Sequence, residues 1–278
     1  MTDEQLPAEV QRAVSVFLAT VDAAAPGLVT GFYLVGSVAL GDFRPTGVGR
    51  GQLGTASDID FVAVLSRRTG ADTAVLAGAH ARLAAGQPRP SFDGCFLTVD
   101  ELAAGPDGCP DVPCSQSGRF LPAGRFGINP VTFCELARHG IAVRGPAPVE
   151  LDVWHDAAAL RAFTADNLRS YWRPAWRRGR RPSPLWYAVG LTGWYPVWTV
   201  LGVSRLHYTL ATGELTSKSG AGRYARTALG PRWHRIVDEC LALRTGGAEG
   251  RRGYRNPLAR RRETLAYLDA AIDSALAL

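Results

Sequence analysis

Long apolar runs are missing from this 278-residue chain. A membrane-spanning helix needs about 18 or more consecutive apolar residues, and the most apolar stretch, 194–202, is far shorter. The opening residues Met1-Thr2-Asp3-Glu4-Gln5 carry no basic segment followed by an apolar core, so no secretory signal is read there. A cytoplasmic protein without a membrane partner is expected. Paired-cysteine chemistry is missing as well. The five cysteines (Cys95, Cys109, Cys114, Cys134, Cys240) are an odd number, the Cys109/Cys114 spacing is not C-x-x-C, and no His pair at metal spacing accompanies it. Free, buried thiols are expected rather than a disulfide framework or a structural metal.

The basic residues favour arginine over lysine and leave a formal net charge of +6. They are uneven: Arg173, Arg177, Arg178, Arg180 and Arg181 form one cluster, and Arg251, Arg252, Arg255, Arg260, Arg261 and Arg262 another. Such clusters suit polyanions, but they equally suit a solvated surface, so charge does not decide the function. With 46% hydrophobic and 20% charged residues the composition is that of a globular protein, and the length fits about two domains.

Hydrophobic periodicity predicts a helix through Leu6, Val10, Val14, Phe17 and Val21. Strands follow at 28–35 and 59–65, separated by a Gly-rich loop at 41–57; a helix is read at 71–85 and a third strand at 95–99. Residues 105–129 read as Gly/Pro-rich loop, 132–138 as a short helix and 141–144 as a strand. Beyond Pro148 only helical patterns appear, at 157–172, 197–210 and through Leu265, Leu268, Ile272 and Leu276. The expected organisation is a mixed α/β domain over 1–150 and an all-α helical bundle over 151–278.

The chemistry concentrates in Val35-Gly36-Ser37 and Ser57-Asp58-Ile59-Asp60. Strand side chains alternate, so Asp58 and Asp60 share a face at the start of a strand. Two carboxylates so close are costly unless a cation joins them, and Mg²⁺ is the hard ion that combines carboxylates, phosphates and water. Gly36-Ser37, ending the preceding strand, offers a backbone that can approach phosphate oxygens closely and one hydroxyl donor.

Taken in this order on consecutive strands, the two segments resemble the nucleotidyltransferase superfamily, whose pattern is an apolar residue, Gly-Ser, a downstream Gly, and Ser/Thr-Asp-x-Asp on the next strand. A third acid on a neighbouring strand is implied by that resemblance. Asp93, just before the third predicted strand, is the best candidate; Asp100 and Glu101 lie beyond the strand's other end. A second resemblance covers Arg205 to Lys218, where Thr212-Gly213 makes a turn, and the block from Asn129 through Leu136 to Val143-Arg144-Gly145-Pro146. Both are similar to aminoglycoside 3''-adenylyltransferases of the streptomycin/spectinomycin type. The resemblance implies ATP and Mg²⁺, expected as two ions, in a cleft between the two domains. It assigns Gly36 and Ser37 to the terminal phosphate, Asp58 and Asp60 to the metals, Asp93 to the metal site and the base position, and Arg205 and Lys218 to the nucleotide.

Three departures bear on the substrate. Ser37 and Asp60 are 23 residues apart, longer than is usual in the family, which implies an insertion enlarging one wall of the cleft. The base position holds Asp in place of Glu, and Tyr195 stands ten positions before Arg205, where the family has an acid. Trp172, Trp176, Trp186 and Trp194 are concentrated in the helical half but read as core residues. The expected function is transfer of AMP from ATP to a hydroxyl of a small molecule, an aminoglycoside-like antibiotic or another hydroxylated natural product, by a monomer. Transfer to a protein or RNA, and a catalytically idle ligand-binding protein, are the alternatives.

Overall fold

The computed structural model describes residues 6–45, 56–181, 183–246 and 253–278. They form two compact units, one containing 57–156 together with the N-terminal segment and the other containing 157–278.

The first unit is built on a mixed sheet of six strands: β1 (Val29–Val35), β2 (Ile59–Leu65), β3 (Phe92–Thr98), β4 (Val112–Gln116), β5 (Arg119–Gly124) and β6 (Ile141–Arg144). Their order across the sheet is β5-β4-β3-β2-β1-β6. Only β2 and β3 run parallel; the other neighbours are antiparallel. Helices α1 (Ala8–Ala24), α2 (Gly36–Ala39), α3 (Gly70–Gly86), α4 (Val99–Gly108) and α5 (Pro130–His139) complete the unit.

The sheet is buried on both faces, which is why β2 reads as a continuous apolar run. On one face Ile59, Phe61, Ala63 and Leu65 pack with Phe32, Phe92 and Phe96 around Phe17 of α1 and with Leu76 and Leu83 of α3. Phe61 and Phe92 stack at 4.4 Å between ring centroids. On the other face Tyr33, Val35, Val62, Val64, Cys95 and Leu97 pack with Leu102 of α4 and with Phe133 and Leu136 of α5. By alternation, Asp60 and Asp93 belong to this second face.

Two predictions are corrected here. The third strand is Phe92–Thr98 rather than 95–99. Parallel pairing of Ile59 with Phe92 and Asp60 with Asp93 extends its start. Its end is cut by a capping box: Thr98 Oγ1 accepts the Glu101 N–H, and the Glu101 carboxylate accepts the Thr98 N–H at 2.9 Å. Asp93 therefore lies inside a strand, not ahead of one. The stretch read as loop at 105–129 contains the β4–β5 hairpin and part of α4. Its turn is Ser117-Gly118, with φ of 53° and 73°, the left-handed pair that a two-residue hairpin of the I′ type requires.

The second unit is all helical among the described residues: α6 (Ala157–Asn167), a π-helical turn (Leu168–Trp172), α7 (Arg173–Arg180), α8 (Pro184–Gly190), α9 (Trp194–Thr212), α10 (Lys218–Ala228), α11 (His234–Thr245) and α12 (Pro257–Leu276). Helix α9 is its axis, with Val197, Val200, Leu201 and Val203 against Tyr267, Leu268 and Ile272 of α12 and Ile236 and Val237 of α11. Arg173 is neutralised by Asp269 and Asp273 of α12. Arg251 and Arg252 of the second basic cluster, and the loop residues 46–55, lie outside the described residues. No helix among the described residues is long and apolar enough to cross a membrane. The five cysteines are free and buried.

Candidate active site

Three central strands, β1, β2 and β3, have their ends together at one end of the sheet. Val35, the last residue of β1, pairs with Asp60 of β2, and Asp60 pairs in turn with Asp93 of β3. Gly36 and Ser37 follow Val35 directly, so the chain turns there beside the two carboxylates. Gly36 has φ +65°, and a Cβ at that position would stand 2.2 Å from Asp60 Oδ2. Only glycine fits both the left-handed backbone and the carboxylate pressed against it. The Ser37 hydroxyl is buried and has no hydrogen-bond partner among the described residues, an unusual state for a polar group and one that a phosphate oxygen would relieve.

The dyad is asymmetric. Asp58, one residue before β2, is exposed, whereas Asp60 is half-buried. The Ser91 hydroxyl donates to Asp58 Oδ1 at 2.8 Å. The segment entering the dyad is pinned from the other side: the Ser57 N–H donates to the Arg44 carbonyl at 2.7 Å, and the Arg44 N–H donates to Ser57 Oγ at 3.0 Å. This pair closes the neck of the long connection, so the 23-residue spacing does not pull Asp60 away from Ser37. The expectation of an enlarged cleft wall falls on residues outside those described.

Asp93 is almost fully buried, 4% exposed. Its two oxygens accept the backbone N–H groups of the β4–β5 turn, from Ser117 at 2.9 Å and Gly118 at 2.8 Å. Burial pushes its carboxyl up to about 6; the turn amides oppose this and the nearby Asp58 charge adds to it. A carboxyl titrating there is suited to exchanging protons near neutrality. Sequence reasoning singled out the carboxylates and Ser57 of their motif, but not Ser91 or the Ser117-Gly118 turn. The Ser-Gly dipeptide between two short strands was the one usable signal.

The donor set fits a hard divalent cation: two carboxylates a strand step apart, with Ser37 and the Gly36 turn placed for phosphate. Among the described residues no three His, Cys, Asp or Glu side chains gather into a metal cage. A cation here would thus take its remaining ligands from phosphate oxygens and water, as Mg²⁺ commonly does.

The nucleotide residues predicted in the helical unit sit together in that unit. Arg205, on α9, donates from Nε to the Thr216 carbonyl at 3.1 Å. Gly213 ends α9 in the left-handed conformation, Ser217 caps α10 by accepting the Gly220 N–H at 3.0 Å, and Lys218 is the first residue of α10. Tyr195 is 2% exposed, and its hydroxyl has no partner among the described residues. It is a core residue of the bundle, not a substitute for an acid. Trp172 is buried in the same core, Trp176 donates to the Leu265 carbonyl at 3.0 Å, Trp194 stacks on Trp198, and Arg178 lies over Trp186.

Comparison with known proteins extends these observations. Residues 188–266 match the family described as aminoglycoside adenylyltransferase, C-terminal domain. Among solved structures the chain is similar to the spectinomycin adenyltransferase AAD(9) from Enterococcus faecialis, determined with ATP and spectinomycin. The two share 15% sequence identity and a TM-score of 0.61 over 93% of this chain and 98% of that one. No curated protein matches the chain at a significant level. Residues 188–266 of the helical unit thus match a domain of the aminoglycoside adenylyltransferases, and the chain shares its fold with that spectinomycin adenyltransferase.

Proposed function

We propose that this protein is an Mg²⁺-dependent nucleotidyltransferase that moves AMP from ATP to a hydroxyl of a small molecule and releases pyrophosphate. The observation that carries this reading is the alignment of Gly36-Ser37, Asp60 and Asp93 at the ends of β1, β2 and β3. The likeness of fold and C-terminal domain to aminoglycoside adenylyltransferases supports it.

Asp58 and Asp60 would hold the cation. Bound Mg²⁺ would supply charge neutralisation on the triphosphate and polarise the α-phosphate. Ser37, whose hydroxyl has no competing partner among the described residues, donates to the terminal phosphate, with the Gly36 backbone close beside it. Arg205 and Lys218 neutralise triphosphate charge, and the first N–H groups of α10 favour an anion in the same way. Asp93 accepts the proton of the acceptor hydroxyl as its oxygen bonds to the α-phosphorus and the α–β bridging bond breaks. Both Asp93 oxygens already accept turn amides, so the base is its stronger assignment and a third metal ligand the weaker.

The acceptor is a hydroxylated natural product of the aminoglycoside-like class, with spectinomycin and streptomycin the first to try. The test is pyrophosphate release from ATP and Mg²⁺ across an acceptor panel, with the Asp58→Ala/Asp60→Ala double variant alongside. Release that requires one acceptor and disappears in the variant is expected. Mg-ATP binding without release for any acceptor would point to a ligand-binding protein, and no ATP binding would end the reading.

A further inference from the structure

Asp58 stands outside the strand ladder that orders its neighbours. It precedes β2 by one residue and is exposed, so nothing in the sheet itself fixes its side chain. Ser91 stands in the equivalent place, one residue ahead of β3, and Ile59 is in register with Phe92. Ser91 touches the Asp58-Ile59 step twice. Its carbonyl accepts the Ile59 N–H at 2.7 Å, and its hydroxyl donates to Asp58 Oδ1 at 2.8 Å.

We propose that Ser91 is a positioning residue that holds the Asp58 carboxylate in the orientation needed to ligate a divalent cation. This rests on the nucleotidyltransferase reading above. The hydroxyl occupies one oxygen and fixes the plane of the carboxylate, leaving Oδ2 for the cation. Groups that hydrogen-bond to a metal ligand orient it and tune its affinity, and their loss commonly costs about 10–100-fold. The backbone half of the contact does not depend on the side chain. Ser91→Ala therefore removes the orienting bond while the Ile59–Ser91 link keeps the β2–β3 register.

The experiment titrates Mn²⁺ in the presence of adenosine 5′-(α,β-methylene)triphosphate and reads free Mn²⁺ by electron paramagnetic resonance. It compares the wild type with Ser91→Ala, Ser91→Thr and Asp58→Ala, and records urea midpoints for each. The expected result is Mn²⁺ affinity weakened about 10-fold in Ser91→Ala, restored in Ser91→Thr, and weakened further in Asp58→Ala, with the urea midpoint of Ser91→Ala unchanged. Wild-type affinity in Ser91→Ala, or no recovery in Ser91→Thr, overturns the role of Ser91 while the metal reading stands. Equal affinity in wild type and Asp58→Ala overturns the metal reading itself, and this proposal with it.

Discussion

Asp60 and Asp93 are direct partners across the parallel β2–β3 pair, yet they are held in opposite ways. Asp60 sits against the Gly36 turn. Asp93 is turned into a buried cradle of two backbone amides from the β4–β5 hairpin. The second arrangement holds a carboxyl raised to about 6, chiefly by burial. Two neighbouring acids are thereby given different surroundings.

The pH dependence follows from Asp93. Its carboxyl is raised to about 6 by burial, so below that pH it is protonated and cannot accept a proton. With an acceptor that supports turnover, kcat/KM should climb about tenfold per pH unit at lower pH and flatten above about 6. Asp93→Asn should abolish turnover and this limb together. Stability moves the other way. A carboxyl raised above its unfolded value of 3.8 binds more protons in the native state, so the contribution of Asp93 to stability is fully present below about 4 and is lost as pH rises through about 6. The loss is of order 3 kcal/mol for a shift of about two pH units. Urea titrations across that range, with metal chelated, should show the decline in the wild type and its absence in Asp93→Asn.

Gly36→Ala separates backbone strain from site geometry. The new methyl would stand 2.2 Å from Asp60 Oδ2, and the residue keeps φ +65°. Left-handed backbone at a non-glycine residue costs about 1–3 kcal/mol. Displacing a reacting carboxylate by around an ångström can cost roughly 100-fold in rate. Gly27 is the control, because its φ is +72° and nothing lies within 4 Å of an added Cβ. Both alanine variants should lower the urea midpoint by similar amounts, but only Gly36→Ala should lose kcat/KM by about 100-fold. Equal activity in the two would show that Gly36 matters for strain alone.

The pattern of what was readable has a physical basis. The strands at 59–65 and 141–144 coincide with β2 and β6, and the end of the strand at 28–35 with that of β1: burial gives β2 a nearly continuous apolar run, and the Gly145-Pro146 break closes β6. The β4–β5 hairpin was hidden by Pro113 and Pro122. Pro113 sits at the register shift between Val112 and Cys114, and Pro122 lies on β5, one of the two edge strands; these are the places where a sheet tolerates proline. Asp58 and Asp60 were readable because their spacing is local, and Asp93 only through the family resemblance. Their supports were not: Ser91 reaches Asp58 across 33 residues, and Ser117 and Gly118 reach Asp93 across 24 and 25. Contacts of that separation leave no periodic trace.

Lys218 offers a test that composition makes unusually clean. It is the only lysine among the 31 basic Lys and Arg residues of the chain, and it opens α10. Pyridoxal phosphate carries both an anion and an aldehyde, so it condenses with an amine near a phosphate site, and borohydride makes the link permanent. Apart from the terminal amine, only Lys218 can react. The expected outcome is a single internal label, mapped to the peptide containing Lys218 and suppressed by ATP with Mg²⁺. A label that ATP does not suppress would remove Lys218 from the nucleotide site. Lys218→Ala should raise the KM for ATP about 10-fold or more, the scale of a lost charge-assisted hydrogen bond. Lys218→Arg should recover part of that loss, since a guanidinium keeps the charge but not the compact geometry of an ammonium. A charge effect alone would make Lys218→Arg equal to wild type, whereas a requirement for close approach to one phosphate oxygen leaves it between the two.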